Sequence, residues 1–195
     1  GFSNLSIPKI MIEEDGHYEK NGIWYYRNGY NLILQRHFSQ AQREWHKIKT
    51  LWFPFSADID TFKPNPNILR KNKIGFAGSS NDRAYIYRAT VLKKLESAKI
   101  VDNFKSNLRQ GPDYINFLQS YIACLSCSSI YNLTSAKMFE IMSSGAVLFT
   151  NKTEHLKYLF PNNSYFEYDI HLGNAVEIAE NIIKNIENTK MVAET

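Results

Sequence analysis

From Lys73 onward, short apolar runs alternate with stretches of helical period. The runs Lys73–Gly78, Tyr121–Cys127, Ala146–Thr150 and Ser164–Tyr168 predict strands, with a further brief one at Ile100–Val101. Between them, Arg83–Ser97 sets Ile86, Ala89, Leu92 and Leu95 close to a helical repeat. Pro112–Ser120 opens with proline, which suits a first helical position because no intrahelical acceptor waits for its missing N–H. Ser135–Ser144, Glu154–Leu159 and Asn174–Asn188 complete the helices, the last with a broad apolar face. Upstream, Ile7–Glu13, Asn31–Gln35 and Ile48–Phe53 read as three more strands. The Pro- and turn-rich stretch Phe55–Pro66 reads as a connector. Strands alternating with helices predict an α/β fold: a Rossmann-like parallel sheet with helices on both faces.

Composition narrows the partners. Of 195 residues, 44% are hydrophobic and 22% charged, which fits a chain able to bury a substantial core. A net charge of +4 favours anionic ligands, but no basic stripe of the kind that binds nucleic acid is present. No apolar stretch approaches the roughly 20 residues of a membrane span, and no signal peptide is visible. Cys124 and Cys127 lie in an apolar run rather than at a helix start, so buried thiols in a reducing, cytoplasmic compartment are expected. The chain starts at Gly1 rather than methionine, which fits either a piece of a longer polypeptide with further domains or a naturally abbreviated form.

The densest chemistry lies between Thr134 and Gly145. A helix is predicted to open with Thr134, Ser135 and Ala136, to carry Lys137 in its first turn and Glu140 one turn on, and to break at Gly145. Unpaired N–H groups and a partial positive charge at a helix start suit a phosphate. Lys137 adds a full charge, and Glu140, on the same side, can accept hydrogen bonds from vicinal sugar hydroxyls. The same residues also suit an ordinary helix cap and a solvated glutamate.

This segment resembles the nucleotide-sugar signature of group 1, GT-B-type glycosyltransferases, with Lys137, Phe139, Glu140 and Gly145 at the matching positions. Pro54, Asp58, Phe62 and Pro64 resemble that family's inter-domain crossing. The resemblance implies an enzyme that moves a sugar from a nucleotide diphosphate, with UDP as the carrier, to a glycan acceptor hydroxyl. It also implies that Glu140 binds the ribose and that the strand-to-helix junction holds the phosphates. Residues 1–64 then correspond to a partial acceptor-side segment with its connector, and residues 65–195 to the donor-binding domain. Retaining members carry an acidic residue eight positions before the glutamate; here it is Asn132, and the stereochemical outcome stays open.

Ligands of open parallel sheets sit at the carboxyl ends of the strands. That places Gly78, Ser79 and Arg83 beside the donor phosphates, with Arg88 as a further candidate. It places Ser128 and Ser129 beside the base or ribose. No metal site is expected, because Asp58 and Asp60 fall in the connector, and no cofactor beyond the donor is required. An inverting transfer needs a general base at the cleft. Asp15 and His17, in the turn after the first strand, and His37, after the second, are the candidates. A non-catalytic nucleotide- or glycan-binding module of a larger protein is the alternative. A dinucleotide-binding domain is disfavoured, since no Gly-x-Gly-x-x-Gly follows a strand.

Overall fold

A computed structural model of the chain describes residues 7–14, 20–42, 45, 47–79, 85–104, 111–128, 133–153, 155–171 and 173–185. The chain divides into two compact units, Gly1–Phe55 and Ser56–Thr195.

The first unit holds β1 (Ile10–Glu13), α1 (Lys20–Arg27), β2 (Leu32–Gln35), α2 (Phe38–Ala41) and β3 (Lys49–Trp52). The three strands pair in parallel in chain order, with Met11, Ile33 and Thr50 in register. β1 starts three residues later than the predicted run, beyond Pro8, which has no N–H to give a ladder. α1 and α2 went unforeseen: α1 mixes Gly22, Ile23 and three aromatics, and α2 is a single turn. Successive strands stepping the same way through right-handed crossovers put both helices on one face. There Tyr25, Ile33, Trp45 and Ile48 form a small core, and Phe38 meets Trp52 edge-on at 5.0 Å. The opposite face stays open among the described residues: Ile10 is 56% exposed, Ile12 48%, and Leu51 and Phe53 44% each.

The second unit contains β4 (Lys71–Ala77), α3 (Ile86–Ser97), β5 (Val101–Phe104), α4 (Pro112–Gln119), β6 (Tyr121–Ser126), α5 (Ala136–Ser143), β7 (Val147–Asn151), α6 (Leu156–Leu159), β8 (Tyr165–Tyr168) and α7 (Ala175–Lys184). Its strands are all parallel, in the order β5-β4-β6-β7-β8. The chain steps outward from β4 to β5 and then returns past β4 to β6. That reversal sends α3 to one face and α4, α5 and α6 to the other. Ile74, Phe76, Leu125 and Phe149 accordingly pack on Leu92, Leu95, Ala179 and Ile182 of α3 and α7. Ala77, Cys124 and Leu148, of the opposite parity, pack on Tyr114, Leu118, Met138, Ile141 and Leu156. Every residue of β6 and β7 is buried. This is the Rossmann-like sheet covered on both faces. β5 starts at Val101, one residue into the predicted Ile100–Val101, because Lys99 turns through φ 60° and Ile100 donates back to Leu95 O to close α3; it runs on to Phe104.

α5 ends the same way. Gly145 takes φ +71°, its N–H reaches Met142 O, and Ala146 N–H reaches Ile141 O. A Cβ at Gly145 would stand 2.9 Å from Arg70 Nη2, whose guanidinium ties Tyr121 O to Ser144 O. Cys124 and Cys127 are free, buried thiols, as their apolar setting predicts. Burial pushes Cys124 up to about 12 from its ordinary 9.0, partly offset by the Arg70 charge, and burial raises Cys127 as well. Among the described residues, no helix is long and apolar enough to cross a membrane.

Gly145→Ala is expected to lower stability by roughly 1–3 kcal/mol, through left-handed strain and displacement of Arg70, read as a fall in urea midpoint. Folding keeps the Cys124 thiol neutral. Its contribution is therefore intact below pH 9.0 and is lost as pH rises from there through about 12. Urea melts at pH about 8 and about 10.5 should differ by about 2 kcal/mol on account of this one group, and Cys124→Ala should shrink the measured difference by that amount.

Candidate functional site

The reversal of strand order leaves a crevice beyond the carboxyl ends of β4 and β6, where the helices that follow those strands diverge to opposite faces. Ala77, Gly78 and Ser79 lie at one lip, and Cys127 and Ser128 at the other. α5 starts beside them.

Ser135 is the N-cap of α5, with extended φ −129° and ψ 156°, yet its side chain makes no cap hydrogen bond. Its Oγ stands 3.5 Å from Ser126 Oγ at the end of β6. Thr134 is buried, and Ser135 and Ala136 are half-buried. Lys137 reaches from the first turn of α5 across to β4, where its ammonium donates to Ala77 O. A Cβ on Gly78 would stand 3.0 Å from that ammonium and 3.1 Å from the Phe76 ring, so the glycine makes the space Lys137 occupies. Glu140, three residues on, accepts a 2.6 Å hydrogen bond from the Tyr114 hydroxyl through Oε2. Lys137 Nζ also lies 5.8 Å from the centre of the Tyr114 ring. Gly78, Lys137 and Glu140, separated by up to 62 positions in sequence, thus meet at one edge of the sheet, together with the start of α5.

Two other expected residues are occupied differently. Ser128 is held by Asn151 at the end of β7: its N–H donates to Asn151 Oδ1 at 2.7 Å, and its Oγ accepts from Asn151 Nδ2 at 2.8 Å. Ser79 gives its carbonyl to Arg88 Nη1 at 2.9 Å, while Arg88 Nη2 donates to Cys127 O at 2.7 Å. Arg88, stacked 4.0 Å over the Tyr85 ring, therefore clamps the two lips of the crevice by their backbones. Burial lowers its pKa. Arg83, Ser129 and Asn132 lie outside the described residues, as do Asp15 and His17.

In the first unit, His37 is buried at the N-cap of α2, edge-on to Phe55 at 5.6 Å. Its Nε2 lies 2.9 Å from Glu14 O. A carbonyl only accepts, so Nε2 carries the proton and Nδ1 is the basic nitrogen of the neutral ring. Asp58 closes a turn on Asp60 N–H and the Thr61 hydroxyl, which lowers its pKa. Among the described residues, no group of three or more His, Cys, Asp or Glu converges as a metal site.

Sequence reasoning did not nominate Tyr114 or Asn151. Their partners stand 26 and 23 positions away, and neither residue belongs to a recognisable local motif.

No family model and no curated protein matches this sequence. Solved structures do. Sucrose-phosphate synthase from Thermosynechococcus elongatus aligns with a TM-score of 0.62 at 12% identity, over 95% of this chain and 67% of that one. HepE from Anabaena, solved with UDP and glucose, aligns with a TM-score of 0.65 at 12% identity, over 95% and 64%. The C-terminal domain of a group 1 glycosyl transferase (LpcC) from Francisella tularensis gives 0.50 at 10% identity, over 71% of this chain and 93% of that domain. The chain has the fold of part of these GT-B structures. It spans between 48% and 67% of the length of the first GT-B structures it matches.

Arg88→Met, which keeps the stem but deletes both clamp bonds, is expected to cost roughly 2–4 kcal/mol in urea unfolding, with Arg88→Lys recovering part of the loss.

Proposed function

We propose that the chain is the donor-binding part, with a segment of the acceptor side, of a glycosyltransferase. It moves a sugar from a nucleotide diphosphate, with UDP the carrier, to a hydroxyl of a glycan acceptor. The observation that carries the reading is the meeting of Lys137, Glu140 and Gly78 beside the uncapped start of α5 at the switch in strand order. The HepE structure with UDP and glucose supports it at the level of the fold.

In this reading the pyrophosphate lies against the amides that open α5, where Thr134, Ser135 and Ala136 shape the turn. Lys137, together with Arg83, balances its charge. As the bond between the anomeric carbon and the phosphate oxygen lengthens, negative charge grows on the departing diphosphate. A fixed ammonium and the helix dipole stabilise that charge without a resident metal ion. Glu140 accepts hydrogen bonds from the ribose hydroxyls. Gly78 and Ser79 border the phosphates, and Ser128 borders the nucleoside. Asp15, His17 or His37 of the first unit takes the proton of the attacking acceptor hydroxyl. The donor half corresponds to residues 65–195 and the acceptor-side segment to residues 1–64. Two free buried thiols suit a reducing, cytoplasmic setting.

UDP at about a hundredfold excess over its Kd is expected to stabilise the chain by about 2.7 kcal/mol, a rise of roughly 5–10 °C in Tm. Lys137→Ala and Glu140→Ala should each abolish most of that rise. An unaltered rise in both variants would remove the site from the proposal. Binding without turnover, with acceptor and the complete polypeptide supplied, would favour a non-catalytic module instead.

A further inference from the structure

α4 follows β5 and α5 follows β6, so both helices begin at the carboxyl edge of the sheet. Tyr114 stands in the first turn of α4 and is only 4% exposed, its ring edge-on to Phe62 at 6.2 Å. Its ring packs in the core beside Leu118 and Met138, and its hydroxyl donates to Glu140 Oε2, 2.6 Å away. Glu140 itself is half-buried, and among the described residues no donor is recorded on its second oxygen. A carboxylate on a helix surface ordinarily samples several rotamers. Here one oxygen is anchored by a ring packed in the core, which sets the direction of the other.

We propose that Tyr114 is a positioning residue for sugar recognition: it fixes Glu140 so that Oε1 presents to the vicinal hydroxyls of a nucleotide's pentose. This rests on the nucleotide-sugar reading of the site and adds to it a residue from a different helix. The role is one of orientation. Tyr114 touches Glu140, and Glu140 touches the ligand. Burial first, and the neighbouring Glu140 second, push the phenol's pKa well above its ordinary 10.0, so the hydroxyl remains a donor across all working pH. The 5.8 Å approach of the Lys137 ammonium to the same ring links this anchor to the phosphate side of the site.

Tyr114→Phe deletes the hydroxyl and keeps the packed ring. The test compares Kd values for UDP and for 2′,3′-dideoxy-UDP, which lacks the diol, by calorimetry on the wild type, Y114F, E140A and the double variant. The wild type is expected to prefer UDP. Y114F should weaken UDP by about tenfold, the scale of one hydrogen bond to a charged group, and leave the dideoxy compound within about twofold. In the E140A background Y114F should change UDP affinity by less than about twofold. That arm also serves if Y114F alone fails to fold, because removing Glu140 removes the carboxylate left without its donor. Parallel losses for both ligands, undiminished UDP binding by Y114F, or a further loss on top of E140A would each overturn the inference while leaving UDP binding itself in place. A wild type that binds neither compound would overturn the nucleotide reading, and the role of Tyr114 with it.

Discussion

The handedness of the connections between parallel strands governs this molecule. A right-handed crossover lets each helix fall on only one side of the sheet, and which side depends on the direction of the step. In the first unit every step runs the same way, and both helices share a face. In the second, one step is taken outward and the next returns, so the helices divide between faces and the inner strands β6 and β7 are buried throughout. The same reversal opens the space beyond β4 and β6. Core and crevice therefore have a common origin, and no residue of the crevice needs to be out of place to create it.

Within the crevice, side chains fall into two kinds. Arg88 and Asn151 hold backbone: they tie Ser79 to Cys127, and Ser128 to the end of β7. Lys137 and Glu140 are held in turn by groups behind them, the Ala77 carbonyl and the Tyr114 hydroxyl. A guanidinium suits the first task because its planar fork reaches two carbonyls at once. An ammonium and a carboxylate suit the second, since each keeps capacity for more than one partner.

What could be read from the sequence follows from how local each signal is. β6 and β7 are buried along their whole length, so they stand out as continuous apolar runs, and the alternation of strands with helices after Lys73 leads directly to the parallel sheet. Lys137 and Glu140 are legible because a spacing of three on a helix brings side chains together whatever the fold. Arg88 shows the limit of that reasoning. Its charge suggested a phosphate partner, but from α3 it donates to the Ser79 and Cys127 carbonyls instead. Tyr114 and Asn151 belong to contacts made only when distant segments meet, and no local pattern announces them. α1 and α2 were hidden for a different reason: Trp24 and Tyr26 of α1 stay more than half exposed, so its aromatics blur the apolar stripe that would have marked a helix.

Among the described residues, one side of the three-stranded sheet is left apolar and open. Ile10, Ile12, Leu51 and Phe53 form a plane whose affinity for other apolar matter comes from released hydration water. That driving force strengthens with warming and with sulfate or phosphate, and fades in the cold. Any apolar segment laid on this plane is therefore held more firmly on warming or in sulfate, and more loosely near ice temperature.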